Sequence, residues 1–393
     1  YFMNTTAGAI TLNLPVGVAG EMVAVSDYAS TFGTNNLTID PNGSEKINGI
    51  NDGYIISTDG FAVTLVYVDA TKGWKSVTGS DADATGVVPA YVAGTGGTPC
   101  SGTICGDYKI HAFTGPGTFC VSSAGNAAGS NTTDYLIVAG GGGAGGSNNP
   151  GSAGGGGGGA GGGYRESKQP GAPWTASPIA SAGGGLNLGT GAAAVTVGAG
   201  GAQGGSGGTP TPGADSAFSS TISAGGGYGA VNNLVVGGDP GGSGGGTSFQ
   251  ARAEPNRGIG NTPPTSPAQG TPGGLGGPNS GGGGGGATVA GGDYAPPETG
   301  GAGGTMAATE ISGASVEYAG GGGGGGGPGT PSSGGGASGG GGAGAGSGGP
   351  GTSGTAGACN TGGGGGAGAA QGHGQGGALG GSGIVYIRYK FQN

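Results

Sequence analysis

The chain has 393 residues, of which 117 are glycine, and the excess is polarised: 14 of the first 100 residues against 97 of the 255 from Ala139 onward. A conventional core of leucine and phenylalanine cannot fill that second region; the glycines keep no collagen-like G-X-Y period, and no long stretch is large and apolar enough for a membrane span. Net charge is −9, split as −7 over residues 1–138 and −2 over 139–393, and an acidic chain with no Arg-Gly-Gly run or basic stripe makes a poor nucleic-acid binder.

The chain opens at Tyr1 without an initiating Met or a signal-like stretch, the pattern of a fragment or processed product. Residues 1–78 read as a small all-β module. Apolar and polar residues alternate over Ala9–Leu14, Glu21–Val25, Asn36–Ile39, Tyr54–Ser57 and Ala62–Val68, and four Asn-Gly or Asp-Gly pairs mark tight turns between them. A module with so little apolar mass is expected to bury exposed faces against neighbouring copies. Residues 79–106 read as a linker. Within it, Asp81-Ala-Asp83-Ala-Thr85-Gly86 imitates the start of a calcium loop, but the twelfth position is Val92 instead of a bidentate Glu, so a solvated turn is expected. Cys100 and Cys105 would close a short loop as a disulfide in an oxidising compartment, with free thiols as the alternative. No metal site is expected, since His111 and His373 stand alone in sequence.

A second domain is expected over 107–393. Strands are suggested at Tyr108–Thr114, Thr118–Val121 and Asp134–Ala139, and again at the far end over Gly383–Phe391. The reading is a β-framework, 107–139 and 383–391, whose first and last strands pair, with glycine segments over 140–382 leaving it and returning. Short apolar strands are expected within those segments, at Ala193–Val197, Ala217–Ile222, Leu234–Val236 and Ala314–Tyr318. His111 would sit on the framework as a structural histidine.

Ordering a glycine costs roughly 0.5–1 kcal/mol more than ordering an alanine, so something must offset the tracts. A bundle of left-handed, polyproline-II-like glycine helices does so. Without side chains, neighbouring backbones approach and donate to one another in several directions, at roughly 1 kcal/mol per net hydrogen bond. Gly320–Gly327 would span about 25 Å at ~3.1 Å per residue. The expected fold class is therefore all-β plus a polyglycine-II helix bundle, framed by paired N- and C-terminal strands.

Two segments carry a family resemblance. Asp134-Tyr-Leu-Ile-Val-Ala-Gly-Gly-Gly-Gly-Ala-Gly-Gly146, together with Gly380-Gly-Ser-Gly-Ile-Val-Tyr-Ile-Arg-Tyr389, resembles the ends of the glycine-rich domain of phage tail fibres and receptor-binding adhesins. Tyr108–Phe119 is similar to that domain's lead-in, and Val25–Phe32 with Leu37–Gly43 is similar to fibre-shaft β-modules. The Thr98–Cys105 insertion departs from the pattern. The resemblance implies a host-recognition protein at a fibre tip, extracellular on the virion, homotrimeric and attached to the rest of a fibre. Variable loops would be presented on polyglycine-II helices to a bacterial surface glycan or outer-membrane protein.

Three interruptions of the glycine background are rich in aromatic and charged residues: 164–174, 249–257 and 293–298. Their candidate receptor-binding residues are Tyr164, Arg165, Trp174, Phe249, Arg252, Arg257 and Tyr294. Aromatic faces suit sugar rings, Arg forks a carboxylate or phosphate, and Tyr, Trp and Arg dominate protein hot spots; the alternative is that these aromatics cap the bundle. No enzymatic activity and no cofactor are expected. Acidic residues after 138 are few, and no Gly-Lys-Ser or Gly-Lys-Thr follows the Gly-x-Gly-x-x-Gly matches. The competing function classes are a structural subunit of an extracellular filament and, with less support, an ice-binding protein.

Overall fold

The computed structural model describes residues 1–77, 89–146, 154–181, 183–205, 208–231, 237–251, 253–328, 335, 337, 339–346, 353–370 and 376–392. The calcium-like stretch 81–86, the expected strand Leu234–Val236, Arg252 and His373 lie outside them. Two compact units emerge, residues 1–90 with 126–129, and residues 91–125 with 130–393. The described residues are all β or irregular.

The first unit is built from β1 (Phe2–Met3), β2 (Ile10–Asn13), β3 (Met22–Asp27), β4 (Leu37–Asp40), β5 (Tyr54–Ile56), β6 (Ala62–Asp69) and β7 (Gly73–Ser76). These form two sheets, ordered β1-β3-β6-β7 and β2-β4-β5. The period-2 alternation seen in the sequence becomes inside and outside. Val23, Val25, Val63 and Leu65 of one sheet meet Leu37, Ile39, Tyr54 and Ile56 of the other, and Phe32 and Trp74 complete the cluster.

In the second unit the strands are β8 (Val92–Thr95), β9 (Thr98–Cys105), β10 (Tyr108–Phe113), β11 (Gly117–Ala124), β12 (Asp134–Val138), β13 (Tyr164–Ser167), β14 (Gly191–Thr196), β15 (Ser216–Phe218), β16 (Thr221–Ser223), β17 (Ala307–Thr309), β18 (Val316–Tyr318) and β19 (Ile384–Lys390). Two five-stranded sheets are ordered β13-β12-β19-β10-β9 and β16-β15-β14-β11-β8, with β17 and β18 a separate hairpin. The last strand of the chain lies between two of the first, antiparallel to both β10 and β12, which is the pairing of ends anticipated from sequence.

The expected linker is shorter than its composition suggested. Val92–Thr95 and Thr98–Cys105 are edge strands of the two large sheets, β8 on β11 and β9 on β10, because backbone pairing asks for no apolar bulk on an edge. The Cys100–Cys105 disulfide is corrected too. Both Cys100 and Cys105 are free thiols on β9, the alternative that the sequence left open.

Every residue of β12 is buried because the sheet is covered on both faces. Tyr135 and Ile137 pack with Phe119, Val195, Phe218 and Tyr389 between the two sheets. Leu136 and Val138 point the other way, into a core with Tyr164, Trp174, Ile311 and Tyr318. His111 lies fully buried in the first of these cores, with Nδ1 2.8 Å from Gly96 O and Nε2 3.1 Å from the Tyr389 hydroxyl. Its burial lowers its pKa from the usual 6.5.

The glycine segments are buried without joining any sheet, and their hydrogen bonds follow one rule. The N–H groups of Gly320, Gly323 and Gly326 donate to Gly339, Gly342 and Ala345. Those of Gly321, Gly324 and Gly327 donate to Gly304, Gly301 and Glu298, and those of Gly322 and Gly325 to Gly159 and Gly156. Each neighbouring segment is thus reached at every third residue. Ala139–Gly145 repeats the rule: Ala139, Gly142 and Gly145 donate to Gly163, Ala160 and Gly157, Gly140 and Gly143 to Ala214 and Thr211, and Gly141 and Ala144 to Gly381 and Ala378. Backbones surrounded this way leave no room for a Cβ: one added at Gly142 would sit 2.1 Å from Gly227 O, and at Gly159 2.2 Å from Gly142 O.

Candidate functional site

The tracts run between two levels. Beside the sheets, Ala139 is bonded to Gly163 and Gly383 to Gly198; at the other level Gly145 is bonded to Gly157 and Gly157 to Ala230. The loops attached to that far level carry three of the predicted recognition residues, Phe249, Arg257 and Tyr294. Phe249 donates its N–H to Gly155 O, and its half-buried ring covers Gly154. Asn279 accepts from Gly155 N–H through its carbonyl and donates its side-chain amide to Glu298 Oε1 at 2.8 Å. Glu298 in turn accepts from Gly327 N–H through its carbonyl.

Arg257 ties two of these loops together. Its Nη2 lies 3.1 Å from Glu254 Oε1 and 3.2 Å from Asp293 Oδ1. Asp293 Oδ1 also accepts from Leu275 N–H, and Leu275 O accepts from Tyr294 N–H, which lays the half-buried Tyr294 ring over Gly277. The loops of Arg257 and Asp293, separate in sequence, therefore meet, and among the described residues there the carboxylates of Glu254, Asp293 and Glu298 face one guanidinium, Arg257. An acidic glycan carboxylate would find Arg257 Nη2 already engaged by two protein carboxylates.

The first predicted loop is placed elsewhere. Tyr164 and Trp174 are buried in the core on one face of the framework sheet, so the expectation that they face a receptor is corrected. Beside glycine tracts a large aromatic is needed wherever a sheet must be covered. Arg165 is half-buried, its Nη1 3.5 Å from Ile222 O on the sheet edge, away from the far-level loops. Arg252 lies outside the described residues.

That core holds polar groups that sequence reasoning passed over. Glu166, almost fully buried, accepts from the Tyr164 hydroxyl and the Ser177 amide at 2.8 and 2.9 Å, and from the Ser177 and Thr309 hydroxyls. Burial and the nearby Glu166 charge push the Tyr164 phenol well above its ordinary value. Asp134 opens β12 and is paired in register with Arg388 of β19. Burial pushes its carboxyl up to about 7, against the opposing pull of the Gln169 amide, the Trp174 indole, Arg388 and Lys168. Asp134 at the head of the apolar run of β12 and Arg388 within that of β19 were the available signal.

Among the described residues no group of three His, Cys, Asp or Glu gathers to hold a metal ion, and no helix is long and apolar enough to cross a membrane. No curated protein matches the chain. The glycine-rich domain family matches residues 114–390, from the β10–β11 turn to the end of β19 and well over half of the sequence, and the chain belongs to that family.

Proposed function

We propose that this protein is a non-enzymatic host-recognition adhesin at the tip of a phage tail fibre. It binds a bacterial surface glycan or outer-membrane protein through the loops at the far level of its glycine segments. The segments are read as polyglycine-II helices that form a rigid stalk, and the virion-borne protein as a homotrimer continuous with the rest of a fibre. The observation that carries the reading is the meeting of residues 249–257 and 293–298 through Arg257 and Asp293, at the end of the tracts away from the sheets. Loops held by a rigid scaffold are where recognition is concentrated.

The test is binding of labelled protein to susceptible and resistant bacteria, with lipopolysaccharide and solubilised outer-membrane protein as competitors. Saturable binding that one competitor abolishes supports the reading, and no binding to any susceptible strain overturns it. A structural filament subunit is the second reading, favoured by the exposed Phe2 and Met22 side chains of the first unit, 78% and 64% accessible. Electron microscopy separates the two: repeating filaments of the purified protein against discrete particles.

A further inference from the structure

The sheet β1-β3-β6-β7 turns one face into the core of the first unit and leaves the residues of its other face exposed or half-buried. Register fixes what stands on that outer face. Phe2 lies in a row with Ser26 and Ala62, Ala24 lies opposite Thr64, and Met22 lies in a row with Val66 and Lys75. Val77, just past β7, donates its N–H to Thr64 O. Side chains alternate across a strand, so these residues face away from Val23, Val25, Val63 and Leu65 of the core. A sheet face left to water is ordinarily polar, whereas this one offers Phe2, Met22, Ala24, Ala62, Val66 and Val77. Phe2 and the short side chains of Ala24, Ser26, Ala62 and Thr64 line a groove of about 320 Å³ on it.

The distribution of charge indicates what the face can meet. Residues 1–77 carry seven Asp or Glu against three Lys, and none of the seven carboxylates stands in these rows. Asp27 and Asp69 turn back to backbone amides, at Ala29 and Phe32 and at Thr71 and Lys72. Glu21, Glu45 and Asp59 accept from the N–H groups of Val18, Gly17 and Gly33. Asp40 ends β4 in the other sheet, and Asp52 lies in the turn before β5. A cationic partner is drawn to those turns and not to this face, and an anionic one finds only Lys75 on it. A neutral apolar face on an acidic unit suits the same face of another copy, because two copies then meet without bringing carboxylates together. Large side chains, Phe2 and Met22, beside a groove of short ones also give the self-complementarity that contact between identical surfaces requires.

We propose that the outer face of β1-β3-β6-β7 is the surface through which copies of this chain pack on one another, each seating Phe2 and Met22 against the groove of its neighbour. The inference rests on the homotrimer of the proposed function and gives that assembly its contact surface.

The experiment is sedimentation of the full chain over a range of concentrations, beside Ala24→Glu and Ile55→Glu. Ala24→Glu sets a carboxylate in the groove, while Ile55→Glu sets one on the exposed side of β5 in the other sheet. The unsubstituted chain and Ile55→Glu are expected to sediment as trimers, and Ala24→Glu to associate at least about ten-fold more weakly, since a carboxylate is then buried at every contact. A monomer at every concentration in the unsubstituted chain overturns the homotrimer and the face with it. A trimer that survives Ala24→Glu, or one that Ile55→Glu disrupts equally, overturns the face alone. A second measurement needs no substitution. Met22 is 64% accessible in the single chain, whereas Met3 and Met306 are half-buried. In the sedimenting trimer, dilute peroxide is expected to oxidise Met22 more slowly than Met306, read by peptide mass spectrometry; Met22 oxidising fastest of the three overturns the proposal.

Discussion

The first unit and the glycine segments of the second bury their interiors in opposite ways. In the first, Trp74, Phe32, Leu65 and their neighbours fill the space between two sheets, and the strand backbones pair within each sheet. In the glycine segments the backbone is itself the filling, and each run reaches several neighbours with a period of three residues. A side-chain core is damaged by removing atoms, because a cavity remains. A backbone lattice is damaged by adding them, because the close approach that makes the bonds has no slack.

The largest effect expected from this contrast is at Gly159. A Cβ there would sit 2.2 Å from Gly142 O, with Gly142 C beside it. Gly159→Val is expected to lower unfolding stability by more than ~4 kcal/mol, the range reached by gross overpacking. Gly189→Ala, where an added Cβ meets nothing within 4 Å, should stay within ~0.5 kcal/mol. Chemical denaturation of both variants checks the pair, and equal stability would refute a backbone lattice. In the first unit the opposite change is the harmful one: Leu65→Ala should cost about 3 kcal/mol by leaving a cavity, read as an earlier transition for that unit.

Where side chains and tracts meet, the sensitivity is to lost partners. Glu166→Ala would strand the hydroxyls of Tyr164, Ser177 and Thr309 in a closed core, at about 2–3 kcal/mol, and Glu166→Gln should recover part of that. A smaller, pH-linked effect belongs to His111. Its folded pKa lies below the ordinary 6.5 because burial disfavours the cation. Its contribution is therefore complete above that value and is lost as pH falls. Thermal unfolding between pH 5 and 8, in an Asp134→Asn background that removes the opposite slope, should show destabilisation in acid that His111→Asn abolishes.

Much of the fold was legible because its signals are local. Alternation at Ile10–Asn13, Leu37–Asp40 and Ala62–Asp69, and the matched apolar runs of β12 and β19, identify strands wherever they pair. The glycine excess itself pointed to backbone-on-backbone contact. What stayed hidden depends on distant partners. Val92–Thr95 and Thr98–Cys105 read as linker since an edge strand borrows its order from the strand beside it. Trp174 read as a recognition residue because an aromatic amid glycine looks the same whether it covers a sheet or faces solvent; burial among Leu136, Tyr164 and Ile311 decided it. Arg257 and Tyr294 were read from sequence as candidates in two separate interruptions of the glycine background, and their meeting through Asp293 and Leu275 spans the return of intervening glycine segments, which no local pattern encodes.

The smallest effect on stability is expected where the effect on binding is largest. Arg257 contacts two exposed carboxylates, and such surface pairs are worth about 0–1 kcal/mol. Arg257→Ala should therefore leave the unfolding transition nearly in place, and with it the tract hydrogen bonds that define the far level. On the adhesin reading, the same change frees Glu254 and Asp293 from their shared cation and loosens the register between the 249–257 and 293–298 loops. Binding to susceptible cells should drop at least ten-fold, measured by cell pull-down beside the unfolding curve. An Asp293→Ala protein, which removes the acceptor shared by Arg257 and Leu275 N–H, should match it. If both variants keep full cell binding, recognition does not use this surface; if both unfold early, the loops brace the tracts instead of riding on them.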